Sequence, residues 1–512
     1  MVVTLTLAAF LGVLRNGFVN WDDPVNFLSN QSYRGLGLSQ LKWMFTTFHM
    51  GHYIPLTWLT LGADHLVWGM NPMGYHLTSL LFHAATALCF YAVARRLLAR
   101  ALPARASTRD IARGAAAAAL LFAVHPLRVE SVAWITERRD VVSGLFFMLA
   151  LLSWLTYVDA SRATRLRWYA ASLVFFGCAL LSKVLALGLP LVLVVLDVYP
   201  LRRLGRPDRD VVASPLREGG GPSVYKVWLE KIPYVLMATV TAGLAMAATP
   251  ASAKASLEAL GLGSRALVAA YGLAFYLVKT VLPVGLSPLY AFVTSVSWMV
   301  VAGVAMAVIV VVAMRRQWPA VAAAGVVYVA LILPTLGFFA VGPQPVADRY
   351  SYLPCLGWAL VAGGAMAWPW VGSRVARVVG AGALVLLLVL TMQQVRVWRD
   401  SVTLWSHAVA LEPDNRFARI NLGGAYATAG RVPEAIDQYR QVLKLSRDKA
   451  PWYEVLGWLY ASSGHVAEGL PLLLEALRLE PGRAGACANA REAVRLLNLP
   501  PPPELEACRG AG

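Results

Sequence analysis

Charge is scarce in this 512-residue chain. Asp, Glu, Lys and Arg make up 14% of it and hydrophobic residues 58%, whereas an ordinary soluble domain carries about a quarter charged residues. The shortage excludes a chain that is soluble throughout, and it is uneven. Residues 1–400 hold long apolar runs, while 401–512 read as a soluble helical protein, so at least two domains of different physical class are expected. Cysteine is scarce too. The five cysteines form no CxxC and no metal-like spacing. Cys487 and Cys508 can pair in an oxidising compartment, although their spacing does not require it. The net charge of +17 suggests nucleic acid at first sight. Its arginines instead cluster between apolar runs, without a basic stripe or recognition motif, so no nucleic-acid partner is expected.

A bilayer core asks for roughly 20 apolar residues per helix. Candidate spans are 1–14, 74–98, 112–125, 140–158, 168–182, 184–199, 231–249, 265–283, 297–314, 319–341, 352–371 and 374–395. The first is short and no cation precedes it, so it resembles neither a signal peptide nor a complete span. The expectation is a polytopic helical domain with about 11–13 transmembrane helices, in an all-α protein surrounded by membrane lipids. Arg95, Arg96, Arg100, Arg105, Arg109 and Arg113, then Arg162, Arg165 and Arg167, then Arg202, Arg203, Arg206 and Arg209 mark cytoplasmic loops. That places loops 15–73 and 126–139 outside. Arg315–Arg316 breaks the alternation, so one segment is miscounted; the short pair flanking Lys183 is the suspect.

Residues 382–483 repeat with a period of 34. Leu422, Gly423 and Tyr426 recur as Leu456, Gly457 and Tyr460; Ala435 recurs as Gly469. Trp405, Tyr439 and Leu473 align, as do Ala408, Val442 and Ala476. The period and the small–large alternation are those of tetratricopeptide repeats. Two full repeats, 416–449 and 450–483, follow a half repeat, with a cap at 484–497. The expected organisation is a membrane domain over 1–395, a short α-solenoid over 396–499 and a disordered tail over 500–512. Such repeats provide a binding surface and no chemistry of their own.

Ionisable groups near a bilayer are costly and mark functional candidates. Asp22 and Asp23 form adjacent carboxylates in the first outer loop. One can act as a general base on a hydroxyl; a turn or helix cap before Pro24 is the plainer explanation. Whether the pair also holds a divalent cation is left open. His49, His52, His65 and His76 follow at spacings unlike a metal site, and His52 and Tyr53 suit an interface. From His125 to Asp140 the second outer loop carries Arg128, Glu130, Glu137, Arg138, Arg139 and Asp140. Mutual pairing explains the charges, and arginine also receives phosphate. Lys183 lies between two apolar runs, and Arg349 with Tyr350 precedes another.

The motifs Phe18-Val19-Asn20-Trp21-Asp22-Asp23, Tyr53-Ile54-Pro55-Leu56, His125 through Asp140, Leu181-Ser182-Lys183 and Ala347 through Pro354 occur in this order, followed by Val397-Trp398-Arg399-Asp400. Together they resemble bacterial relatives of the transmembrane and tetratricopeptide-repeat O-mannosyltransferases (TMTC), over nearly the whole chain. The resemblance implies a GT-C glycosyltransferase fold in a bacterial inner membrane, with its active-site loops and repeats on the periplasmic or outer face. It implies a polyprenyl-phosphate-linked sugar donor, mannose among the candidates, and an inverting transfer to a hydroxyl. The acceptor would be Ser or Thr of a polypeptide held by the repeats. On this reading Asp22 or Asp23 is the base, and Arg138, Arg139, Lys183 and Arg349 hold the donor phosphate. His52, Tyr53, His125, Glu130, Asp140 and Tyr350 support the substrates. Transfer to a lipid or cell-surface glycan, and a non-catalytic membrane scaffold, are the alternatives. Two departures stand out: Val184 follows Lys183 where the family often has an acid, and the repeat array is short.

Overall fold

The computed structural model describes residues 1–204, 223–249, 261–291, 297–336, 344–368 and 374–510. Every regular element among them is a helix. They form two compact units. The first comprises Met1–Phe18, Asp23–Leu286 and Tyr290–Arg399; the second comprises Val19–Asp22, Ser287–Leu289 and Asp400–Gly512. The boundary therefore falls at 399/400, just past the expected 395. Two short stretches from earlier in the chain also join the second unit.

In the first unit four described helices are long and apolar enough to cross a membrane: Pro72–Ala101, Ile135–Asp159, Val224–Ala248 and Val378–Val397. A pair bent by 56°, Thr108–Ala123 with Pro126–Ala133, makes a fifth if it is one span. This is a multi-pass membrane protein, but these helices are fewer than the 11–13 expected. The remaining apolar helices are shorter, among them Val184–Val198, Trp298–Ala313, Pro319–Thr335 and Leu356–Met366. Proline accounts for one break. His125 precedes Pro126 and is held extended at φ −81°, ψ 133°, so the helix stops at Ala123 and resumes in a new direction. The far ends of the expected spans 319–341 and 352–371, and Arg206 and Arg209, lie outside the described residues.

Small residues bring helices of this unit close together. A Cβ added to Gly363 would lie 2.4 Å from the Gly114 carbonyl and 2.8 Å from the Ala118 nitrogen. The Leu356–Met366 and Thr108–Ala123 helices thus meet backbone to backbone, as small residues allow in membranes.

The second unit is built from Ser401–Leu411, Arg416–Thr428, Val432–Leu445, Ala450–Ser462, Val466–Leu479 and Ala484–Leu496. Successive helix pairs start at Arg416 and Ala450, and at Val432 and Val466, a step of 34 residues. Gly423 faces the Tyr439 ring and Gly457 faces Leu473, so the small positions receive the large ones. The tail departs from expectation. Pro503–Gly510 is a 3-10 helix, and a Cys487–Cys508 disulfide ties it to the last α-helix. Leu505 and Cys508 join the core of Leu473, Leu477 and Ala490. Burial and a covalent link order a segment whose prolines alone read as disorder.

Val19–Asp22 is part of this unit by specific contacts. The Asn20 amide nitrogen donates to Ser401 Oγ (2.9 Å), and its Nδ2 donates to the Asn421 carbonyl (3.0 Å). Its Oδ1 accepts from Trp405 Nε1 (2.7 Å), and the Trp21 ring stacks on Trp405 at 4.7 Å.

Candidate active site

The chain from Pro126 to Asp140 turns three times within fifteen residues. A 3-10 turn at Pro126–Arg128 leads into the short helix Val129–Ala133; Trp134 is extended, and a second 3-10 turn at Ile135–Glu137 opens the Arg138–Asp159 helix. These reversals bring Glu130, Glu137 and Asp140 together. Three cations meet them there. Arg139 donates to Glu137 through Nε (3.0 Å) and Nη2 (2.5 Å), and Lys183 Nζ bridges Glu137 Oε2 (2.8 Å) and Asp140 Oδ1 (2.7 Å). Arg349 pairs with Glu130 through Nη1 and its own amide nitrogen. Its Nε lies 3.1 Å from Glu137 Oε1, and Nη2 reaches Gln344 Oε1 at 3.1 Å. Burial disfavours the Arg349 charge, but the carboxylates of Glu130 and then Glu137 outweigh it and raise its pKa well above the ordinary arginine value, so it stays charged.

Exposure separates the two charges. Glu137 is 0% exposed, Glu130 2% and Asp140 4%, whereas Lys183 is 7%, Arg349 8% and Arg139 9%. All six are buried, the carboxylates slightly more deeply than the cations. Each cation is oriented by at least one buried carboxylate, leaving ammonium or guanidinium donors for an incoming anion.

Lys183 is positioned by the turn that ends the Arg162–Leu180 helix. Leu56 N donates to the Leu181 carbonyl (3.2 Å), and Thr57 Oγ1 to the Ser182 carbonyl (3.0 Å). This anchors the Leu181-Ser182-Lys183 motif to the start of the Pro55–Trp68 helix and leads the side chain back to residues 137 and 140. His52, exposed nearby, has Arg139, Glu137, Lys183 and Arg349 as its charged neighbours. Crowding around its ring, and then the charge of Arg139, hold its pKa below the ordinary histidine value.

The other predicted residues are placed as follows. Arg138 is adjacent to Arg139 on the helix but points elsewhere, since neighbours on a helix face different directions. It is fully buried and donates to Asp64 Oδ2 (2.7 Å), Ser79 Oγ (2.7 Å) and the Tyr75 carbonyl (2.5 Å). It therefore ties three helices together outside the cluster. His125 Nδ1 accepts from Leu127 N (3.2 Å), which leaves the proton on Nε2 to bond the Thr280 carbonyl (3.1 Å). Tyr53 donates to the Phe45 carbonyl (3.1 Å), away from the cluster. Tyr350 lies 4.9 Å below the Arg349 guanidinium.

Asp23 is buried, and its Oδ1 accepts from Trp134 Nε1 (2.9 Å) and Thr136 Oγ1 (2.7 Å). The Trp134 ring also lies 5.4 Å from the Arg349 guanidinium, so one indole joins Asp23 to the cationic cluster. Asp22 is half-buried and belongs to the other unit. Among the described residues no group of three or more His, Cys, Asp or Glu is arranged to hold a metal ion.

Sequence reasoning singled out most cations but missed Glu137 as the hub, along with Gln344 and Arg128. Arg128 donates to Ser351 Oγ (2.8 Å) and lies over the Phe122 and Tyr352 rings. Glu137 was visible only as one more acid among three arginines; its meeting with Lys183 is a long-range event.

The site thus belongs to an all-helical multi-pass membrane protein with a buried ionic cluster and a separate unit of helix pairs. No family model matches the chain. It is 30% identical over 214 residues to protein O-mannosyl-transferase TMTC2 of Homo sapiens, covering 39% of this chain and 24% of that protein. It is 35% identical over 136 residues to protein O-mannosyl-transferase Tmtc3 of Drosophila melanogaster (25% and 14%), and 32% over 164 residues to TMTC3 of Mus musculus (30% and 16%). The chain thus matches a quarter or less of the length of these curated relatives.

Proposed function

We propose that this chain is a membrane glycosyltransferase of GT-C type that moves a sugar, mannose by the names of its relatives, from a polyprenyl-phosphate donor to a Ser or Thr hydroxyl of a polypeptide. The observation that carries the proposal is the ionic cluster in which Glu137, Glu130 and Asp140 orient Arg139, Lys183 and Arg349. Such preorganised cations suit a leaving phosphate, whose charge grows as the glycosidic bond breaks.

In the reaction, the acceptor oxygen attacks the anomeric carbon and its proton passes to a first-loop carboxylate, Asp22 or Asp23. The carbon–oxygen bond to phosphate breaks with its electron pair left on the phosphate oxygen. In-line attack inverts the anomeric configuration. Arg138 has no place in this scheme, because it is fully buried and its Nε and Nη2 donate to Asp64, Ser79 and Tyr75. The helix pairs, as tetratricopeptide repeats, hold the acceptor and raise its effective concentration. The Cys487–Cys508 disulfide supports an oxidising location for that unit, which fits the outer face of a bacterial inner membrane.

The test is transfer from a labelled polyprenyl-phosphate sugar by Asp22→Asn and Asp23→Asn variants. Loss of a general base lowers the rate by about 10²–10⁴-fold. Parental rates in both variants would remove the pair from the mechanism. Deleting 401–512 is a poor test of acceptor binding, because Asn20 and Trp21 would lose Ser401, Trp405 and Asn421.

A further inference from the structure

A cavity in the first unit plays no part in this scheme. Its volume is about 690 Å³, within the range of small-molecule sites. Its walls are almost wholly apolar, with Phe90, Met148 and Leu360 among them, and they include Trp318 and Arg202. The lining follows one helix from Phe90 to Ala101, about 17 Å at 1.5 Å per residue. The cavity is therefore long as well as apolar, the shape of a hydrocarbon chain.

Arg202 defines which end is polar. Its neighbour Arg203 donates to Glu230 (2.5 Å), which also accepts from Tyr157 near the C-terminus of the Arg138–Asp159 helix. Arg100, near the C-terminus of the Pro72–Ala101 helix, pairs with Asp159 of the same region at 2.5 Å. Arg202 thus stands at the helix ends opposite to Arg138–Asp140, where the cluster around Glu137 begins. Arginine-rich connections gather at this end, with Arg95, Arg96 and Arg100 preceding and Arg162 and Arg165 following the neighbouring helix termini. Basic pockets between transmembrane helices suit anionic lipid headgroups.

We propose that this cavity holds one tail of an anionic membrane phospholipid whose phosphate pairs with Arg202, at a site separate from the Glu137 cluster. The apolar length takes the acyl chain and the cationic end takes the headgroup. The inference does not rest on the transferase reading, since it uses none of the same residues.

The experiment uses the full chain reconstituted in phosphatidylcholine nanodiscs, with phosphatidylglycerol carrying a diazirine at the end of one acyl chain as probe. Photolysis should label Phe90 and Met148, deep in the cavity. Excess phosphatidylglycerol should compete with this labelling and phosphatidylcholine should not. Arg202→Glu should reduce it by at least about fivefold, the loss expected for one phosphate contact. Leu360→Trp, which fills the cavity without altering charge, should reduce it as well. Adducts confined to exposed residues such as Ile309 and Val385 would overturn the proposal. So would labelling at Met148 that Arg202→Glu leaves unchanged, equal competition by phosphatidylcholine, or competition by polyprenyl phosphate stronger than by phosphatidylglycerol. Sugar transfer, measured on the same samples, reports separately on the Glu137 cluster.

Discussion

Lys183→Met removes the ammonium that bridges Glu137 and Asp140 at 2.8 and 2.7 Å while keeping most of the side chain's length. At an effective dielectric of about 20, each contact carries about 6 kcal/mol of gross attraction. Desolvation of the buried groups offsets much of that, so the intact bridge contributes little net stability. Removing one partner is different, because two buried carboxylates then share fewer cations. The expected cost is about 3–5 kcal/mol. The double variant Lys183→Met with Asp140→Asn restores charge balance and leaves an amide oxygen for Ser131, which now donates to Asp140 Oδ2 at 3.0 Å. It should recover most of the loss. Thermal unfolding of the parent, both single variants and the double variant, followed by helicity in detergent, completes the cycle. A loss below about 1 kcal/mol for Lys183→Met, or a double variant no more stable than Lys183→Met alone, would show that the bridge is not what holds the cluster together.

Three further outcomes are expected. Gly363→Ala forces a methyl against the Gly114 carbonyl and should cost about 1–3 kcal/mol or more, whereas Gly243→Ala, which meets nothing within 4 Å, should be neutral or slightly stabilising; the unfolding midpoints of the two variants check this. Burial, and then Glu130, push the Asp348 carboxyl well above the ordinary range, so the folded protein holds this proton more tightly than the unfolded chain. Its contribution is full below the unfolded value of about 3.9 and is lost as pH rises through the folded value. Asp348→Asn keeps an acceptor for the Tyr290 hydroxyl, now 2.7 Å from Oδ1; the variant should match the parent near pH 4 and exceed it in midpoint near pH 8. Cys508→Ser opens a link across a sequence separation of 21, worth about 3 kcal/mol by chain entropy, and limited proteolysis should then cut within 503–510 before any other part of the second unit.

The repeat period was legible because it depends on local size alternation: Gly423 opposite Tyr439 and Gly457 opposite Leu473 are written in the same register twice. The charged motifs were legible as motifs. What the sequence could not show was direction. Arg138 and Arg139 are consecutive, yet one locks helices through Asp64 while the other meets Glu137. Nor could it show that a lysine 46 residues away completes the cluster. The span count was obscured for a different reason: hydropathy averages across breaks such as His125–Pro126 and cannot register the 56° bend there. The tail reads as disordered from its prolines, although the Cys487–Cys508 pairing that orders it is open in the sequence.

The contacts of Asn20 also set a timetable. Its partners Ser401, Trp405 and Asn421 lie 381, 385 and 401 residues later. At a synthesis rate of about 5–20 residues per second, the segment around Asn20 waits roughly 20–80 s before they emerge. During that interval the helices between them enter the bilayer, so an early hydrophilic strand must remain accessible while a membrane domain assembles. The second unit can close only after residue 421 has been made, which makes the Asn20–Trp405 bond a late event in the assembly of these two segments.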